Sequence, residues 1–260
     1  MRWVTDRTGR FARRPYYTKD ELDTICEARV RRFLLDHNGA IAYPLSTTDL
    51  TVLIEQETDD LDQYADLSCL GGDDVEVEGI TEFFPDRRPR VRIARGLAEN
   101  PIREARLRTT LSHEFGHVLL HDFAGRWGTL GQMALFGETT SLPCAHQAML
   151  GTGKVDWMEW QAGYASGAIL MPRTEVYETA RPLVEEAGGA IYVGDDDARR
   201  VIRWVREGFL VSEAAARVRL LQLGYLTETQ TPRITRPSPS QNNTPCRNDD
   251  NTLICQLAMW

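Results

Sequence analysis

The sequence predicts an α+β fold that is mainly helical, with one small antiparallel sheet and a C-terminal helical segment. Apolar residues recur at helical intervals over long stretches in both halves of the chain. Only between about 65 and 95 does the pattern change to short alternating runs. Thr18 and Glu21 are spaced as a capping box ahead of the first helix, which carries Leu22, Ile25, Phe33 and Leu34 until Asn38-Gly39 stops it. Leu50, Val52, Leu53 and Ile54 predict a second, short helix, and Asp59 to Asp62 a polar turn. Val75, Val77, Ile80, Phe83-Phe84, Val91 and Ile93 supply the antiparallel sheet, broken by Gly71-Gly72 and by Pro85 to Pro89. Asn100-Pro101 opens a helix that runs from Ile102 to about Asp122. The Gly-, Thr- and Ser-rich stretch from Gly125 to Lys154 reads as a long irregular excursion. Helical patterns resume over 156–170, 174–186 with Pro182 as a kink, 195–207 and 212–223.

With 260 residues the chain can bury a sizeable core without staples. Its five cysteines are scattered, no CxxC pair occurs, and the Arg-rich first thirty residues hold no apolar signal core, so a cytoplasmic protein without a membrane span is expected. The net charge of -8 has the wrong sign for a protein that coats nucleic acid. Arg199, Arg200, Arg203 and Arg206, at helical spacing, read as a solvated face. After Leu226 the composition turns to Thr, Pro, Ser, Asn and Gln, which predicts a disordered tail whose end, Leu253 to Trp260, is apolar enough to dock.

The chemistry lies in His113-Glu114-Phe115-Gly116-His117, an HExxH motif. On a helix, histidines at i and i+4 sit about 40° apart, so both imidazoles can reach one zinc ion. Glu114, about 100° round the helix, is placed to act on water at that ion. Leu107, Leu111, Phe115, Val118 and Leu119 form an apolar stripe on the opposite side, so one face packs and the other is free for metal. His121 lies too far along the axis to be a third ligand and reads as a cap or a support for the site. The metzincin spacing is excluded, because position 123 is Phe123. Third-ligand candidates are Glu138, His146 with Cys144, Asp156 and Glu159. Glu159 is the best of them: Ala162, Gly163, Ser166 and Gly167 follow it on its helix, and small residues let two helices approach closely. Each glycine costs roughly 1 kcal/mol of helix propensity against alanine, which the closeness would justify. Tyr164 lies round that helix from Glu159 and reads as core.

The segments LSHEFGHVLLH, EWQAGYASGAILMP and FLVSEAAARVRLLQLG together resemble the ImmA/IrrE family of bacterial metallo-endopeptidases, over roughly residues 20 to 226 and most strongly from about 100. The resemblance implies a zincin-like, gluzincin-type metalloprotease core over 18–190, an N-terminal extension over 1–17 and a helical segment over 191–226 packed on the core. It implies Zn2+ held by His113, His117 and Glu159, with Glu114 as catalytic base. It also implies a substrate, a helix-turn-helix repressor or antitoxin whose cleavage relieves repression. The sequence departs from the family in a longer interval between His117 and Glu159 and in the tail. The rival to an enzyme is a metal-binding module that binds a repressor partner without cutting it; such a module would not need Glu114. Direct DNA binding through 212–223 is opposed by the acidic balance and by the lack of a basic helix beside it.

Overall fold

The computed structural model describes residues 1–70, 76–124, the backbone of 140–145, and 156–229. Met1–Thr229 forms one compact unit. Most of the excursion expected over 125–154, and nearly all of the expected tail, lie outside the described residues, as do Glu138 and His146 and the side chain of Cys144.

An antiparallel pair, β1 (Arg2–Thr5) and β2 (Arg13–Tyr16), precedes α1 (Lys19–Asn38). Thr18 and Glu21 form the reciprocal capping box, and Gly39 ends α1 in the left-handed conformation at φ 73°, where a side chain would be strained. α2 (Thr47–Glu57) starts at the Ser46 cap. The four strands β3 (Asp60–Ala65), β4 (Val77–Phe83), β5 (Arg90–Ala94) and β6 (Thr140–Ala145) follow in the order β3-β5-β4-β6.

Two expectations are corrected here. The sheet is mixed, not antiparallel, because β3 runs parallel to β5. The polar stretch Asp59 to Asp62 is mostly strand, since edge residues point their charges outward and Arg90 bonds Asp60 across the pair.

A short helix α3 (Arg95–Ala98) and a 3₁₀ turn (Pro101–Arg103) lead into α4 (Glu104–His121). The second half is helical: α5 (Trp157–Leu170), α6 (Arg173–Glu186), α7 (Asp196–Phe209) and α8 (Glu213–Gln222), with Pro182 inside α6. Ile191–Tyr192 (β7) pairs in parallel with Leu226–Thr227 (β8), so the ordered body continues past the point where the tail was expected.

The main core joins α1 and α2 to α4 through α8, with Phe33, Leu53, Leu111, Phe115, Ile169, Val205 and Leu220 buried within it. Its centre contains a polar cluster. Arg219 pairs with Asp23 and donates from Nε to the Met171 carbonyl at 2.9 Å, while the Tyr164 hydroxyl donates to Asp23 at 2.9 Å. Burial and the adjacent Asp23 charge push the Tyr164 phenol up to about 12, so it is a core residue and not an acid near neutral pH. Asp23→Ala should destabilise the fold by about 3–5 kcal/mol, because it strands a buried guanidinium. Urea denaturation measures this; a change below about 1 kcal/mol would mean that water replaces the pair.

Candidate metal centre

Among the described helices α4 and α5 share the most extensive contact, and Gly116 lets them approach. A Cβ at Gly116 would lie 3.0 Å from the Ala162 carbonyl oxygen and 3.1 Å from the Ala165 methyl. Ser112 and Ser166 bridge the same interface through hydroxyls 2.7 Å apart. The small-residue argument for α5 therefore holds for Ala162 and Ser166 but not for the glycines. Gly163 has nothing within 4 Å of its would-be Cβ, and Gly167 faces Arg219 and Gln222 of α8. Both line a cavity of about 310 Å³ that also touches Thr109, His113, Met171 and Val218.

This packing brings His113, His117 and Glu159 together; their ligand atoms lie within 4.8 Å of one another. The His113 and His117 Nε2 atoms are 3.2 Å apart, and the Glu159 carboxylate spans them, Oε2 lying 3.2 Å from the first and Oε1 3.3 Å from the second. Tetrahedral coordination at about 2.0–2.1 Å has donor-to-donor edges of about 3.3 Å, and separations of this order are compatible with one ion shared by the two imidazoles and the carboxylate. Two imidazoles and one carboxylate suit a borderline transition ion better than calcium or magnesium, which take all-oxygen shells. Burial would raise the Glu159 carboxyl, but hydrogen bonds and charge from His113 and His117 override it and hold the group well below the usual carboxylate range.

The histidine face of α4 is buried as well: His113, Glu114, His117 and His121 are all covered. α5 covers the histidines, and β4 covers Glu114. The Thr81 hydroxyl donates to Glu114 Oε2 at 2.6 Å, and a Cβ on Gly79 would fall 2.7 Å from Oε1. A glycine inside an alternating strand marks such a close approach, which is the signal that could have found Gly79. The side of β4 near α4's start is clamped by Glu78, buried and bonded by Arg103 at 2.6 Å and paired with Arg106.

His121 supports the site, as its spacing suggested: its Nδ1 lies 3.1 Å from His117 Nδ1, and its Nε2 2.9 Å from Gln161 Oε1. Burial, then the neighbouring His117, pushes it well below the ordinary histidine range. Asp156 is used elsewhere, capping α5 through Met158 N–H at 2.8 Å and pairing with Arg10. Residues 1–17 are more than an extension. Phe11 and Trp3 pack edge-on against Phe123, and Phe11 also against Trp157, beside His121.

No protein-family model and no curated protein matches this chain. What the centre can do therefore follows from its own geometry.

Proposed function

We propose that this chain is a zinc-dependent endopeptidase that cuts a helix-turn-helix repressor or antitoxin at one site and so relieves repression. The observation that carries the metal reading is the convergence of two imidazoles and one carboxylate: the His113 and His117 Nε2 atoms lie 3.2 Å apart, with Glu159 Oε2 3.2 Å from the first and Oε1 3.3 Å from the second. A mixed sheet against the HExxH helix, followed by a glutamate-bearing helix, supports a zincin-like core. Among the described residues no helix is long and apolar enough to cross a membrane.

Zinc held there would acidify water to a pKa of about 7 and polarise a peptide carbonyl. Glu114 takes the proton of the attacking water and returns it to the leaving amine. Thr81 holds one carboxylate oxygen at 2.6 Å and so fixes the direction of the other. Gly79→Ala tests this support: its methyl would fall 2.7 Å from Glu114 Oε1 and 2.9 Å from Thr110 Cγ2, so the buried carboxylate must move. Turnover should fall on the order of 10²-fold, since misplacement of about 1 Å has that cost, and the overpacked contact should also lower stability by about 1–3 kcal/mol. Unchanged turnover would remove β4 from the mechanism.

The cavity beside His113 is lined by both polar and apolar groups and can receive a substrate side chain. Selectivity is tested by incubating the zinc-loaded protein with a helix-turn-helix protein encoded beside it and with casein, read by mass spectrometry. One cut in the first, in a linker or exposed loop, and almost none in casein are expected. Rapid unselective digestion of casein would sink the dedicated protease.

One observation favours the second reading, a metal-binding regulatory module that holds a repressor without cutting it. Glu114 is fully buried and bonded to Thr81, a role that would retain a glutamate there without catalysis.

A further inference from the structure

We propose that the cavity beside His113 is a specificity pocket for an uncharged side chain that ends in a carboxamide, a glutamine of the protein that this chain engages. The proposal deepens the functional reading above and rests on its claim that a protein partner is held at the centre, but the pocket itself needs neither zinc nor cleavage.

Two glycines of α5 make the space. Gly163 follows Glu159 by four residues and so lies on the same helix face one turn further on, and nothing stands within 4 Å of where its Cβ would be. A Cβ at Gly167, the next turn, would meet Arg219 Cδ and Gln222 Oε1 of α8, both at 3.5 Å. The cavity of about 310 Å³ therefore extends from His113 to two polar side chains of α8, with Leu170, Met171 and Val218 as apolar wall between.

The polar end is unsatisfied. Arg219 Nη1 and Gln222 Oε1 are buried and have no hydrogen-bond partner among the described residues. The rest of the Arg219 guanidinium is engaged, Nε with the Met171 carbonyl and Nη2 with Asp23. A buried polar atom without a partner is costly, and a donor and an acceptor left over in one cavity call for a group that pairs with both. A carboxamide does so with two different atoms, its oxygen accepting from Arg219 and its NH₂ donating to Gln222. A carboxylate has no proton for Gln222, and an alkyl chain satisfies neither. Charge points the same way. Asp23 already pairs with Arg219 and the buried Glu78 with Arg106, and no Asp or Glu is among the described residues that line the cavity. A lysine or arginine would be desolvated there without a counter-charge.

The test uses full-length, metal-free protein and four probes, the N-acetyl methylamides of glutamine, norleucine, glutamate and lysine, followed through the backbone amide shifts of Gly163 and Gly167. The glutamine probe should saturate in the millimolar range, as expected for so small a ligand. Norleucine should bind about 10-fold more weakly, since it leaves both wall atoms unpaired, and glutamate and lysine more weakly still. Gly163→Leu fills the space and should abolish binding without lowering the melting midpoint, because leucine is the better helix former. Gln222→Met should erase the preference for glutamine over norleucine. Norleucine, glutamate or lysine binding as well as glutamine, glutamine binding that survives Gly163→Leu, or a preference unmoved by Gln222→Met overturns the proposal. So does the absence of saturable shifts with every probe, which would leave a cavity for water. A second arm incubates the zinc-loaded protein with a peptide library randomised at one position and reads the cuts by mass spectrometry. Cuts next to glutamine are expected, and cuts indifferent to it overturn the pocket's part in specificity. Failure of the peptidase reading looks different: the probes bind as expected and the library stays whole.

Discussion

Glu114→Gln should abolish peptide cleavage while zinc content and melting midpoint stay at wild-type values. The amide has the size of the carboxylate and leaves an oxygen to accept the Thr81 hydroxyl, now 2.6 Å from Oε2, so the contact with β4 survives. Gly79 leaves no room for a larger group, which is why the amide and not a longer side chain is the right probe. What the amide cannot do is take a proton from water, and general-base catalysis contributes on the order of 10²–10⁴-fold. Metal analysis, thermal melting and a cleavage assay on one preparation separate the two functional readings. Loss of turnover alone supports the base. Loss of fold or of zinc makes Glu114 a structural tie between α4 and β4, as a non-cleaving regulator would have it, and undiminished turnover puts the base elsewhere.

Glu159→Ala should strip the centre of zinc at free-metal concentrations that saturate the wild type. The loss should exceed the roughly 10–100-fold expected for a residue that merely supports a ligand. His113 and His117 would remain, but two imidazoles alone hold a tetrahedral ion poorly. Asp156→Ala, one turn earlier, provides the control. Asp156 caps α5 and pairs with Arg10, so its removal should cost about 1 kcal/mol of stability and leave zinc affinity unchanged. Zinc lost with Asp156→Ala and kept with Glu159→Ala would reverse the assignment of the third ligand.

The elements written in the sequence are those whose causes lie within a few residues. Thr18, Ser46, Asp156 and Ser212 cap helices where short polar side chains precede apolar periodicity. The two histidines of α4 share a face because i and i+4 always do, and Glu159 stood out by the small residues that follow it. Contacts between distant segments were not legible in this way. The parallel pairing of β3 with β5 and the position of β6 beside β4 depend on which strands meet after long loops close, and residue pattern does not record that choice. The glycine that brings α4 against α5 is Gly116, inside the motif itself, whereas Gly163 and Gly167 open a cavity. A glycine shows in sequence that space is needed, and only the packed helices show whose. Gly79, Thr81, Gln161 and Pro15 are ordinary residues of strands, a helix and a hairpin until folding sets them around His117 and Glu114. The local chemistry of the HExxH helix is thus a property of the chain, while the hydrogen bonds made to it are a property of the fold, because each takes its partner from another element.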